Sequence, residues 1–239
     1  MVHSGFCYLK GDEFILTNEE KAELAKVQDH FAVLPRDPYG QASNRYRQFS
    51  RYLLIPFAGL LIPRPERTPT YRQHAAFNDE APDLARQFEA IPGRFLSSDL
   101  IRALIVHDFQ NSPFDEHSLS LPFEVGLHFI RLQAEPDKPG IAVPNRLHKD
   151  GEPFTWIHLI NRSGVTGGEN IVTDNEQANV LCEAILNSPL DTIGIVDDQV
   201  WHQVKPVYAE AHVRMGFRDV VLVDFTPMVA KPLEPRLEP

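Results

Sequence analysis

The segment Arg146-Leu147-His148-Lys149-Asp150-Gly151 sets a histidine and an aspartate two positions apart. On an extended chain, side chains two apart point to the same side, so His148 and Asp150 can face one interior while Lys149 turns away. A second histidine, His202, stands in the apolar, strand-like stretch Val200-Trp201-His202-Gln203-Val204. Two imidazoles and one carboxylate form a facial donor set that suits non-haem iron(II) and leaves coordination positions open. An oxygen-activating metal needs those positions for a bidentate co-substrate and O2. Taken alone, a His-x-Asp pair also fits a surface turn with Asp150 in a salt bridge.

The elements that must position these residues are strands of the second half. From about Pro122 the chain turns to period-two alternation, first in Phe123-Glu124-Val125-Gly126-Leu127-His128-Phe129-Ile130-Arg131-Leu132. Further strands are predicted at 154–161, 169–173, 192–196, 200–204 and 217–225, with one helix at about 176–187 and a hairpin-type turn at Gly167-Gly168. The first half reads as helices and proline-punctuated loops. Thr17-Asn18-Glu19-Glu20 is a capping-box start, followed by Leu24, Val27 and Phe31 on one helical face. Arg45-Tyr46-Arg47-Gln48-Phe49 leads to an apolar stretch at 53–62, which Pro63, Pro65 and Pro69 end. A second helix is predicted from near Pro82, with Leu84, Phe88 and Ile91 inward. A third runs from Ser97 or Ser98 to about Gln110 and carries Leu100, Leu104 and Ile105.

Helices gathered first and short strands after imply an α+β chain with a mainly β core, a sandwich or barrel supported by N-terminal helices. The expected organisation is a single domain over 1–239: a helical and loop part at 1–120, the β core at 121–227 and a proline-rich tail at 228–239. A net charge of -10 argues against nucleic acid as substrate, because phosphate binding needs a basic face. No run approaches the roughly 18 apolar residues of a membrane span, and the first residues show no secretory signal. Two cysteines, Cys7 and Cys182, are too few for a disulfide framework or a thiolate metal site, which fits a reducing cytoplasm. The expected partner is a small molecule, with no nucleic acid and no membrane; a homodimer is compatible with the sequence.

Around the His-x-Asp pair the motifs line up. His148-Lys149-Asp150-Gly151 is followed by Leu159-Ile160-Asn161-Arg162 and Gly167-Gly168-Glu169-Asn170. Val200 through Val207 and Phe217-Arg218-Asp219-Val220-Val221 come next. In this order and spacing the chain resembles the iron(II)- and 2-oxoglutarate-dependent dioxygenase superfamily. Within it, the chain is similar to the small bacterial group that includes the isoleucine and related free amino-acid hydroxylases. The resemblance covers about residues 120–227 and extends more loosely to Arg45-Tyr46-Arg47.

The resemblance implies a double-stranded β-helix (jelly-roll, cupin-like) with Fe(II), 2-oxoglutarate and O2 near one mouth, the metal held by His148, Asp150 and His202. It also implies an arginine, on the strand after the distal histidine, for the buried C5 carboxylate of 2-oxoglutarate. Arg offers that carboxylate a bidentate fork that stays charged. Arg214 and Arg218 both fall in that stretch, and Arg218 is favoured because Val220 and Leu222 share its strand face. Asn161 is a further candidate for 2-oxoglutarate. The implied reaction hydroxylates an unactivated C–H of a small molecule, a free aliphatic L-amino acid by the nearest resemblance. Arg131, His158, Trp156 and Glu152 are candidates for holding it. His128 and Arg131 have opposite parity on one strand, so at most one of them faces inward. The alternatives are desaturation or cyclisation at the same iron, a cupin-type metalloenzyme without 2-oxoglutarate, or a non-catalytic binding protein of this fold.

Overall fold

The computed structural model describes residues 4–40, 43–72 and 84–229. Strands β1 (Phe6–Leu9), β2 (Arg45–Ile55), β3 (Leu60–Arg64), β4 (Thr70–Tyr71) and β5 (Arg86–Gln87) come from the first half. The second half supplies β6 (Phe123–Ala134), β7 (Phe154–Ser163), β8 (Val165–Gly167), β9 (Asn170–Thr173) and β10 (Val180–Ala184). It continues with β11 (Thr192–Val196), β12 (Trp201–Val204), β13 (Val207–Ala209) and β14 (Gly216–Pro227). The α-helices are α1 (Asn18–His30), α2 (Gly93–Leu96), α3 (Asp99–Asn111) and α4 (Glu116–Leu119). The chain is mainly β.

Seven strands form one antiparallel sheet in the order β1-β11-β7-β14-β6-β2-β3. Alternation along its central strands divides the side chains between two faces. Phe123, Val125, Leu127 and Phe129 of β6, Trp156 of β7, and Val221, Val223 and Phe225 of β14 join one buried cluster with Val27 of α1 and Leu100, Ile101 and Leu104 of α3. On the other face, Ile157 and Val220 meet Val172 of β9, and Leu132 meets Val165 and Val207 of β8 and β13. Two smaller sheets, β10-β9-β12 and β13-β8, therefore cover the face that the helices leave open.

Local chemistry explains the helix ends. Thr17 Oγ1 accepts from Glu20 N–H and the Glu20 carboxylate accepts from Thr17 N–H, the reciprocal cap expected from the sequence. Ser98 caps α3 in the same sense, accepting from Ile101 N–H. Gly167 and Gly168 both take positive φ (75° and 77°), but the strands they join do not pair with each other. The predicted hairpin is instead a corner, where the chain leaves β13's partner β8 for the sheet that holds β12.

Two predicted helices are corrected. The segment at 176–187 forms β10, because the Asp174 carboxylate accepts N–H from Ala178 and Asn179 and turns the chain back along the open edge of β9. Pairing that edge satisfies backbone groups that outweigh the helix propensity of Glu, Gln and Ala. The helix from near Pro82 falls partly on 73–83, outside the described residues. From Leu84 onward the chain is extended, its backbone bonded to Pro69 and Phe49, with Phe88 and Ile91 buried. Of the proline-rich tail, residues 230–239 also lie outside the described residues. Among the described residues no helix is long and apolar enough to cross a membrane.

Leu100 is fully buried between α3 and the sheet. Leu100→Ala is expected to lower unfolding free energy by about 2–5 kcal/mol, the transfer term plus the cavity it leaves. Denaturant titration reads this as a lower midpoint at an unchanged slope.

Candidate active site

His148 and His202 face each other through a two-way backbone bridge, each N–H donating to the other's carbonyl (2.9 and 3.1 Å). That bridge fixes the imidazoles with ring centroids 4.3 Å apart. Asp150 completes the group, its oxygens 3.5 Å from His148 Nε2 and 3.3 Å from His202 Nε2. One donor atom from each of the three lies within 4.8 Å of the others. Lys149 turns outward to Asn175 Oδ1 and the Asp198 carbonyl, as alternation requires.

The loop that carries Asp150 is held from behind. Asp197, buried, accepts from the backbone N–H of Asp150 (2.7 Å) and of Gly151 (2.9 Å). Gly151 has φ 87°, a left-handed turn that glycine adopts without a Cβ penalty. His148 Nδ1 donates to the Arg146 carbonyl at 2.9 Å, which leaves Nε2 as the free lone pair. Burial alone would favour a neutral Asp150, but His202 and His148 hold its carboxyl well below the ordinary range. The donor set suits a divalent metal.

The three residues open into a cavity between the large sheet and the smaller ones. Arg218 lines it from β14, 2% exposed, with its nearest described polar contact at Asn170 Oδ1 (3.5 Å) and its Nε buried without a partner. Burial, then the neighbouring Arg162, lowers its pKa to about 10, so it remains a cation at neutral pH. A buried guanidinium with a free edge fits a ligand carboxylate.

Other predicted residues fall differently. Glu152 lines the cavity and accepts from the Tyr71 hydroxyl at 2.8 Å; burial and the carboxylates of Asp224 and Asp150 push its carboxyl well above the usual range. Arg214 lies in an exposed loop outside the cavity. Three further expectations are corrected by strand parity. Arg131 points to the helix side of β6 and is bonded twice to buried Asp219 (2.6 and 2.8 Å). Trp156 and His158 share a face, as expected, but it is the helix face. Trp156 donates to Ser112, and His158 bridges Asp108 and Thr192. From β7 the cavity receives Thr155 and Ile157 instead. Asn161 accepts from the adjacent Arg162 N–H and does not line the cavity; the asparagine near Arg218 is Asn170.

Sequence reasoning missed Arg47, Tyr71, Arg86 and Asp224 as cavity residues and left His128 open. His128 is the inward member of the His128/Arg131 choice. Burial, then Arg47, lowers its pKa to about 4, so the ring is neutral. Its Nε2–H donates to Asp224 (2.8 Å) and its Nδ1 accepts from Arg47 (2.6 Å).

The model of the 2OG-Fe dioxygenase family matches residues 28–224. The chain belongs to that family. It is 30% identical over 227 residues to L-isoleucine-4-hydroxylase of Bacillus thuringiensis, spanning 93% of this chain and 90% of that one. It is 27% identical to 3(1)-hydroxy-L-isoleucine 4-dioxygenase of Pantoea ananatis (strain AJ13355), covering 92% and 91%. Among solved structures, IDO from Bacillus thuringiensis superimposes with a TM-score of 0.79 at 27% identity, covering 95% of each chain. The protein is thus a 2-oxoglutarate-dependent dioxygenase that uses Fe(II), 2-oxoglutarate and O2. The residues present fit these groups: the His-Asp-His set could hold the metal, and the free edge of Arg218 could hold a carboxylate.

Asp197→Ala releases the Asp150-Gly151 backbone, and Co(II) binding followed by its visible spectrum is expected to weaken about 10–100-fold while the far-UV circular dichroism is kept. His128 titrates near 6.5 when unfolded and near 4 when folded. Its contribution is therefore fully present above pH 6.5 and is lost as pH falls toward 4, on the order of 3 kcal/mol. His128→Gln is expected to flatten the dependence of the unfolding midpoint on pH across that window.

Proposed function

We propose that this dioxygenase hydroxylates an unactivated C–H bond of a free aliphatic L-amino acid. His148, Asp150 and His202 hold iron(II), and Arg218 binds the C5 carboxylate of 2-oxoglutarate. In this reading the large sheet, to which β1, β2 and β3 of the first half contribute, and the smaller sheets facing it form a double-stranded β-helix. The single observation that carries the reading is a cavity with an intact His-Asp-His group and, separately, a buried arginine with an unpartnered edge. The names of the two curated relatives support the substrate class.

When bound, iron(II) with 2-oxoglutarate and O2 supplies the oxidising chemistry: one oxygen atom enters the C–H bond, the other enters succinate, and CO2 leaves. The chain's own residues bind, orient and exclude water. Ile157, Val204, Val220 and Leu222 give the cavity apolar walls, which favour an aliphatic side chain and keep solvent from the reacting carbon. The Arg146 carbonyl fixes the tautomer of His148, and Asp197 fixes the approach of Asp150. Arg218 would hold the C5 carboxylate of 2-oxoglutarate through its free edge.

The test is succinate release across a panel of free amino acids, with mass spectrometry of the products. The expected result is one aliphatic amino acid that stimulates succinate formation and gains a single oxygen. A panel without any stimulation would sink the substrate class. Arg218→Ala is expected to weaken 2-oxoglutarate binding by about 100-fold in an anaerobic Fe(II) titration, a charge-assisted bidentate contact being lost. Unchanged affinity would move the co-substrate elsewhere.

A further inference from the structure

We propose that Arg47 and Glu152 hold the two charged ends of the substrate, Arg47 its carboxylate and Glu152 its ammonium, and so restrict the enzyme to free α-amino acids. The assignment rests on the amino-acid reading above and adds the residues that enforce it.

Arg47 stands on β2, 7% exposed, in the wall of the cavity. One Nη donates to neutral His128, its Nε is buried without a partner, and its plane lies against the rings of Tyr71 (5.0 Å) and Phe88 (4.5 Å). No carboxylate among the described residues lies within ion-pair distance of it. The candidates nearby are committed: Asp37 to Arg45 at 2.7 Å, and Asp224 to His128. A cation buried this way is costly unless an anion joins it. Arg218 cannot share that anion. It stands two strands away on β14, beside Asn170 and Arg162, whereas Arg47 sits among Tyr71, Phe88 and His128. The cavity thus has two separate places for a carboxylate, and the reaction has two organic reactants.

A hydrogen-bonding partner for the ammonium is close by. Glu152 Oε1 accepts from the Tyr71 hydroxyl, while Oε2 is buried and unpartnered. Tyr71 spans the two groups, with Arg47 on its ring face and Glu152 on its hydroxyl, so cation and carboxyl stand about one phenol apart. A zwitterion satisfies both free edges at once. A decarboxylated amine, a deaminated acid or a residue within a peptide chain satisfies at most one.

Binding to the anaerobic Fe(II)–2-oxoglutarate enzyme tests this by calorimetry with three probes: L-isoleucine, 2-methylbutylamine, which lacks the carboxylate, and 3-methylpentanoic acid, which lacks the amine. The wild type is expected to bind isoleucine at least about 10-fold more tightly than either analogue. Arg47→Gln should weaken isoleucine about 10–100-fold and leave the amine unchanged, with Arg47→Lys in between; Glu152→Gln should weaken isoleucine and leave the acid unchanged. If Arg47→Gln weakens isoleucine and the amine equally, or keeps the wild-type preference between them, the assignment of Arg47 is overturned. The same comparison with the acid decides Glu152. If the wild type binds neither isoleucine nor other free aliphatic amino acids, the amino-acid reading itself falls, a result the variants cannot mimic.

Discussion

A guanidinium keeps its charge wherever it is placed, so each arginine buried in this sheet must be answered by an anion. Four of them are answered in two ways. Arg45 closes on Asp37 and Arg131 on Asp219, internal pairs that need nothing from outside. Arg47 and Arg218 reach the cavity with free nitrogens and no carboxylate of the described chain beside them. The first two are permanent parts of the fold. The second two leave the cost of burial to be offset when ligand arrives, so binding free energy and cavity formation are coupled.

The metal-binding group obeys a related constraint through the backbone. Three donors must converge from a loop and a strand, and side-chain choice alone cannot hold a loop. The His148–His202 bridge ties the loop to β12, and Asp197 ties it again two residues later through consecutive N–H groups. Gly151 permits the turn that makes both bonds reachable. The convergence of His148, Asp150 and His202 is thus a consequence of main-chain hydrogen bonding.

Much of this was legible in the sequence where a short range decides the outcome. Capping residues placed α1 and α3, alternation placed most strands of the second half, and the i, i+2 rule put His148 and Asp150 on one side. Parity also said that Trp156 and His158 share a face. It could not say which face, because that depends on α3 bringing Ser112 and Asp108 to one side of the sheet. Arg47 was beyond sequence reading for a similar reason: β2 joins the sheet next to β6 although some seventy residues separate them (about half a domain). The strand β10 shows the same limit. Nothing local in Val180-Leu181-Cys182-Glu183-Ala184 announces that β9 has an edge to fill.

The division of each central strand between two faces also separates what can be redesigned from what cannot. Along β14, Val221, Val223 and Phe225 answer to the packing of the helices, while Arg218, Val220, Leu222 and Asp224 answer to what the cavity must hold. Adjacent residues of one strand can therefore be varied for different ends. A library confined to Val220 and Leu222 would reshape the apolar wall of the cavity while Arg218 and the intervening set are kept, with little loss of foldable members.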